Sequence, residues 1–269
     1  MNAPVESSLL SSTGDEAVSA LPWAQATSSA IALYARHTAG FEERVAATVA
    51  LLRQAAAEHP GQIVLANSLG AEDMVLTDLI ARYQIPITIG TLQTGALHAE
   101  TLALIPQIES RYGLKVELYA PPQEAVIQFV RQHGEQAMYQ SIELRKACCN
   151  VRKMEPLSRM LAGRSAWVTG LRREQSQNRG TMPAHEIEPN GRAKYNPLVD
   201  WTWADVWHHI STHNVPYNTL HDQFMPSIGC APCTRAIAVG EEFRAGRWWW
   251  EDESAKECGL HVRKTPQSA

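Results

Sequence analysis

Apolar residues between positions 41 and 58 recur at helical spacing. Phe41, Val45, Val49 and Leu52 fall on one face, and Pro60-Gly61 closes the segment, so the pattern predicts a helix with one buried side. Ile63-Val64-Leu65-Ala66 follows as a short unbroken apolar run, the pattern of a strand covered on both faces. After Asn67-Ser68-Leu69-Gly70 comes a second helical stripe, Val75, Leu76, Leu79, Ile80 and Tyr83, and then Pro86 introduces the apolar run 87–89. The unit reads β-α-β. Helices over 98–112, 123–133 and 141–162, with strands over 115–119 and 166–169, continue the alternation. An α/β fold is expected: a doubly wound, mostly parallel sheet with helices on both faces, binding small ligands beyond the C-terminal ends of its strands.

The pattern changes after Gly170. Residues 171–191 are polar and charged and read as a long functional loop. Thr202-Trp203-Ala204-Asp205 has the form of a helix cap, and Trp203, Val206, Trp207 and Ile210 give the helix 202–213 an apolar face. Residues 1–28 are rich in Ala, Ser, Thr and acidic side chains and have no apolar period to offset their ordering entropy, so a flexible tail is expected there. The expected division is this tail, one domain over 29–250 and a flexible C-terminal segment over 251–269, with no internal repeat. The N-terminal stretch lacks the basic and apolar regions of an export signal, and no run of about 18 apolar residues occurs, so a protein of the cytoplasm with no membrane span is expected. A net charge of −4 argues against a general nucleic-acid binder but leaves room for a local basic pocket.

Cysteine usage narrows the chemistry. Five cysteines in a reducing compartment, an odd number, do not make a disulfide framework. Four of them form two pairs, Cys148-Cys149 and Cys230-Ala231-Pro232-Cys233. A set of four soft thiolates selects zinc or an iron–sulfur cluster. Adjacent cysteines point their sulfurs apart, which suits two corners of a cubane better than one small ion. Zinc stays open, as does a bland reading in which Cys148 and Cys149 are small buried apolar residues and Cys230 and Cys233 a dithiol. The fifth, Cys258, stands alone among Lys256, His261, Arg263 and Lys264, whose charge favours the nucleophilic thiolate, while Gly259 frees the backbone beside it. Read alone, it could equally be an exposed thiol.

Candidate anion ligands are spread along the chain. Ser68 and Gly70 lie where a strand gives way to a helix, so free N–H groups and the helix dipole can meet a phosphate. Lys153, four residues after Cys149, would project from the same side of its helix. Arg172 begins the polar segment at a strand end, and an arginine's planar fork suits oxyanions.

Three motifs occur together: Arg145-Lys146-Ala147-Cys148-Cys149-Asn150-Val151-Arg152-Lys153-Met154-Glu155-Pro156-Leu157, Gly229-Cys230-Ala231-Pro232-Cys233-Thr234 and Glu257-Cys258-Gly259-Leu260-His261. In this order, over roughly residues 40 to 262, the chain resembles the cluster-bearing assimilatory adenylyl-sulfate (APS) reductases. The resemblance implies an adenine nucleotide alpha hydrolase-like fold, a [4Fe-4S] cluster on Cys148, Cys149, Cys230 and Cys233, and Arg244, Arg247 and His261 as ligands of sulfate and phosphate. It further implies that Cys258 attacks the sulfur of APS, expels AMP and becomes a Cys-S-sulfonate, from which thioredoxin or glutaredoxin releases sulfite, in sulfate assimilation and cysteine biosynthesis. The loop at Ser68 is similar to the modified pyrophosphatase-type loop of these reductases, with Asn67 and Leu69 where Ser and Phe are more usual. Three alternatives stand beside this reading. One is a reductase of the 3′-phosphorylated substrate PAPS, one a non-enzymatic cluster or zinc sensor, and one an ATP-dependent enzyme of the related fold, whose Ser-Gly-Gly-x-Asp-Ser loop is missing here. Whether the chain forms a homo-oligomer is not legible in its sequence.

Overall fold

A computed structural model describes residues 29–176 and 179–252. The expected tail over 1–28, most of the expected C-terminal segment, Cys258 and His261 lie outside the described residues. Six strands, β1 (Ile63–Asn67), β2 (Thr88–Leu92), β3 (Val116–Tyr119), β4 (Ala166–Val168), β5 (His185–Ile187) and β6 (Ala193–Tyr195), form one sheet in the order β3-β2-β1-β4-β6-β5. All neighbours are parallel except β5, which runs antiparallel at the edge. The mostly parallel, doubly wound sheet is therefore present.

Nine α-helices among the described residues flank it: α1 (Ala30–Tyr34), α2 (Phe41–Glu58), α3 (Ala71–Arg82), α4 (Ala99–Leu102), α5 (Leu104–Tyr112), α6 (Gln123–His133), α7 (Ile142–Cys149), α8 (Glu155–Leu161) and α9 (Trp203–His213). Successive side chains of a strand face opposite sides, and here both sides are covered. Ile63 and Leu65 join the large core built with α2, α3, α5 and α9, whereas Val64 packs with Leu157, Met160 and Leu161 of α8 and with Trp167. Burial on both faces is why β1 reads as an unbroken apolar run. Among the described residues no helix is long and apolar enough to cross a membrane.

Several expectations need correction. The helix over 98–112 is two helices, broken at Ala103, because Pro106 has no N–H to donate to the carbonyl four residues back. The helix over 141–162 is interrupted for the same reason. Pro156 cannot bond back to residue 152, and residues 150–154 form a π-turn in which the Glu155 N–H reaches the Asn150 carbonyl. Tyr83 ends α3 with 38% of its surface exposed rather than extending the buried stripe. The polar segment 171–191 is more than a loop, since it contains β5, held by only three residue pairs to β6, too short and too polar to show a strand period. Helix α9 begins as its cap predicts: the Asp205 N–H donates to Thr202 Oγ1 at 3.1 Å and the Thr202 N–H to Asp205 Oδ2 at 2.8 Å.

Candidate active site

The C-terminal ends of β1, β2 and β4 open onto a cavity of about 220 Å³. Its walls include Ser68, Glu72 and Asp73 from the turn into α3, Thr94 after β2, Lys153 of the π-turn, Thr169 and Gly170 after β4, and Arg244, Arg247 and Trp248 from the last described stretch. This is the place that sheet topology assigns to a ligand.

The turn after β1 is shaped by its own side chains. Leu69 is fully buried with φ +64°, a conformation unusual for a non-glycine, and its N–H donates to Asn67 Oδ1 at 2.6 Å. The Ser68 N–H and hydroxyl both donate to Asp73 Oδ2, at 2.7 and 2.5 Å, and the Gly70 N–H reaches Ser68 Oγ at 3.3 Å. The N–H groups of Ser68, Leu69 and Gly70 thus already have acceptors, and Asp73 adds an internal carboxylate to the first turn of α3. Ser68 lines the cavity; Gly70 is not among its lining residues. Burial pushes the Asp73 carboxyl up to about 6, against the pull of the Ser68 hydrogen bonds. Gly170 is required close by, because a Cβ there would stand 2.3 Å from Asp73 Oδ1.

The cations of the lining come from later in the chain. Lys153, Arg244 and Arg247 line the cavity, and so does Arg179, which the sequence reading did not single out. Arg247 is nearly buried: its Nε donates to the Cys233 carbonyl at 3.1 Å, and its guanidinium lies 4.7 Å from the Trp248 ring centre. Arg172, expected here, is absent from the lining residues. It is fully buried, pairing with Glu72 at 2.9 Å and Glu174 at 2.5 Å, with its guanidinium 5.3 and 5.8 Å from the ring centres of Trp203 and Phe243. Two of its neighbours, Glu72 and Phe243, do line the cavity.

Beside the cavity lies a second small core, in which Cys148, Cys230 and Cys233 pack with Phe129, Ala137, Met138 and Trp248. Cys149 adjoins it closely enough for its charge to raise the pKa of Cys233. The two pairs, some eighty residues apart in sequence, therefore meet. Cys230 is brought in by the loop after β2: Leu97 bridges to it, the Ala231 N–H donates to the Ala96 carbonyl at 2.7 Å, and Thr94 Oγ1 is 3.3 Å from its sulfur. None of the four is in a disulfide. Burial opposes the Cys230 thiolate, yet Lys153, Thr94, Arg247 and Arg152 hold its pKa below the usual thiol value. Burial and then the neighbouring Cys230 push Cys233 up to about 12, and burial raises Cys148. Arg152, also missed in the sequence, anchors this corner by donating to the Thr94 carbonyl at 2.8 Å. These four thiols are the residues that could hold a metal centre. Among the described residues no group of three or more His, Cys, Asp or Glu side chains is placed to hold a metal ion.

A mostly parallel α/β sheet with a cation-lined cavity at its strand ends defines a doubly wound class of protein, and solved structures share that fold. The chain is similar to yeast FAD synthetase in complex with FAD, with a TM-score of 0.52 and 14% identity over 78% of this chain and 72% of that one, a likeness of fold alone. The phosphate complex of phosphoadenylyl-sulfate (PAPS) reductase from Candida auris is nearer, with a TM-score of 0.60 and 25% identity, covering 73% of this chain and 98% of that one. Residues 62–236 match the phosphoadenosine phosphosulfate reductase domain. An adenosine 5'-phosphosulfate reductase of Allochromatium vinosum is 56% identical over 222 residues, 82% of this chain and 86% of its own length. The chain belongs to the phosphoadenosine phosphosulfate reductase family, whose members are oxidoreductases acting on sulfur.

Proposed function

We propose that the protein reduces adenylyl sulfate to sulfite and AMP, with thioredoxin or glutaredoxin as the thiol reductant, in cytoplasmic sulfate assimilation leading to cysteine. The observation that carries this reading is the meeting of two distant cysteine pairs beside a cavity lined by Lys153, Arg244 and Arg247. The relatives named as adenosine 5'-phosphosulfate reductases support the choice of substrate. Lys153, Arg244, Arg247 and, beyond the described residues, His261 bind the phosphate and sulfate oxygens, with the arginines offering paired N–H donors. Ser68 borders the nucleotide. Cys148, Cys149, Cys230 and Cys233 would hold a [4Fe-4S] cluster, which would supply fixed charge to the site.

Cys258 is the nucleophile. Its thiolate forms a bond to the sulfur of the sulfate group while the bond from that sulfur to the bridging oxygen breaks, and the electron pair leaves with AMP. A thiolate of the reductant then attacks Cys258 Sγ, sulfite departs with the electrons of the broken S–S bond, and the reductant's second thiol closes its own disulfide to return Cys258. Cations around the oxyanion lower the barrier because they are fixed before charge develops.

Mass spectrometry of the protein incubated with APS and no reductant is expected to show a sulfonate on Cys258. Iron and sulfide are expected together, at cluster stoichiometry, after anaerobic purification. An unmodified Cys258, or faster turnover of PAPS than of APS, would overturn the mechanism or the substrate respectively.

A further inference from the structure

Trp248 has a backbone that its own side chain disfavours. Its φ of +41° lies in the left-handed region, which a bulky residue adopts only where surrounding contacts over-determine it. The main chain is tied on both sides: the Trp248 N–H donates to the Cys233 carbonyl at 3.4 Å, and the Glu251 N–H donates to the Trp248 carbonyl at 2.9 Å. The residue is 1% exposed, packs in the core that holds Cys148, Cys230 and Cys233, and borders the cavity. Three guanidinium groups surround its ring, with Arg145 at 4.6 Å, Arg247 at 4.7 Å and Arg244 at 6.0 Å from the ring centre. An indole attracts cations at this range more strongly than any other side-chain ring.

Three like charges about one ring repel one another, and they are placed unequally. Arg145 is forked by Glu251, its Nη2 donating to Oε2 at 2.7 Å and its Nε to Oε1 at 2.9 Å, with both side chains buried. It is absent from the cavity lining, whereas Arg244 and Arg247 are part of it. A tight turn, in which the Arg247 N–H donates to the Arg244 carbonyl at 2.9 Å, joins those two. We infer that Trp248 is a positioning residue whose indole is the platform that holds Arg244 and Arg247 at the cavity. The inference rests on the binding role proposed for these two arginines. A long arginine side chain that is ordered only when its ligand arrives loses rotamer freedom at that moment, and the loss weakens binding. Arg247 is ordered beforehand, by its Nε on the Cys233 carbonyl at 3.1 Å and by the ring. The strained turn at Trp248 is what lets the Trp248 N–H and the Arg247 side chain share that one carbonyl.

The test compares Trp248→Phe with Trp248→Leu in the full chain purified anaerobically. Both variants remove volume, but phenylalanine keeps a smaller π face and leucine keeps none. AMP affinity by calorimetry, KM for APS and iron content are measured on the same preparations. The expected result is AMP affinity lowered about tenfold by leucine and about threefold by phenylalanine, with KM rising in step and iron unchanged. With Arg247→Ala already present, either ring substitution should cost less than half as many fold, because the nearer of the two cavity cations is gone. Trp248→Phe, alone and with Arg247→Ala, carries the test if the leucine variant does not fold. AMP bound within twofold of wild type in both variants overturns the inference, as does a loss undiminished by Arg247→Ala. So does an equal loss in both variants accompanied by loss of iron, which marks the ring as packing for the cysteine core. Wild-type protein that binds no AMP sinks the functional reading itself, whereas variants at wild-type affinity sink this inference alone.

Discussion

Gly229 offers a direct probe of the proposed anion-binding role of Arg247, because its missing side chain makes room for that arginine. A Cβ on Gly229 would stand 2.2 Å from Nη2, 2.5 Å from Cζ and 2.8 Å from Nη1 of that arginine. Ordinary contact begins at 3.4 Å, so in Gly229→Ala the guanidinium has to retreat by about 1.2 Å. It cannot do so freely, since its Nε is bonded to the Cys233 carbonyl at 3.1 Å and its face lies 4.7 Å from Trp248. Losing a hydrogen bond from a charged donor costs about 1.5–3 kcal/mol and a partly buried cation–π contact about 1 kcal/mol, so roughly 2–4 kcal/mol is at stake. At about 2–4 °C per kcal/mol for a domain of this size, the thermal midpoint should fall by roughly 5–15 °C. The larger effect should be on function, because misplacing a binding group by about 1 Å can cost on the order of a hundredfold. The assay pairs calorimetric AMP binding and kcat/KM for APS with a thermal melt, in Gly229→Ala, Arg247→Ala and the double variant. The added methyl should do little once Arg247 is gone, so the two effects should be strongly non-additive. If Gly229→Ala binds AMP and turns over APS within twofold of wild type, the placement of the Arg247 fork is not what binds the substrate.

Three further outcomes are expected. Asp73 is held protonated to about pH 6 against an ordinary value of 3.8, so the native state binds more protons than the unfolded chain between these values and stability falls as pH rises through that window. About two units correspond to roughly 3 kcal/mol. Asp73→Asn should remove that slope, and thermal midpoints from pH 4.5 to 7 that run parallel for variant and wild type would show the reasoning to be wrong. Cys149→Ser should lose iron, sulfide and visible absorbance together, and retention of full iron would exclude that residue as a ligand. Thr202→Ala removes the cap of α9 and should cost about 1 kcal/mol, read as a lower midpoint with unchanged kcat/KM; an unchanged midpoint would mean the cap bond contributes nothing.

Much of the fold was legible in the sequence because it is written in local periods. The helices over 41–58 and 123–133 occur with those limits, and β1 shows in its apolar run because the sheet is covered on both faces. The breaks at Ala103 and in residues 150–154 were legible in principle, since each precedes a proline, but apolar period outweighed the prolines in the reading. The two cysteine pairs announced themselves by spacing. Their meeting did not, because it depends on the loop after β2 pairing with Cys230 across 136 residues.

The sequence alone determined the alternation of strands and helices, the capped start of α9 and the supply of thiols and cations, since each depends on residues a few positions apart. Only the tertiary structure decided how the charges are used. It turned Arg172 inward against Glu72, bonded Asp73 back to Ser68, brought Arg152 and Arg179 to the site and paired Arg145 with Glu251. A charged side chain carries no mark of its partner: whether it meets water, a ligand or a counter-charge is set by chain segments brought together from afar, and by which of those partners best offsets the cost of leaving water.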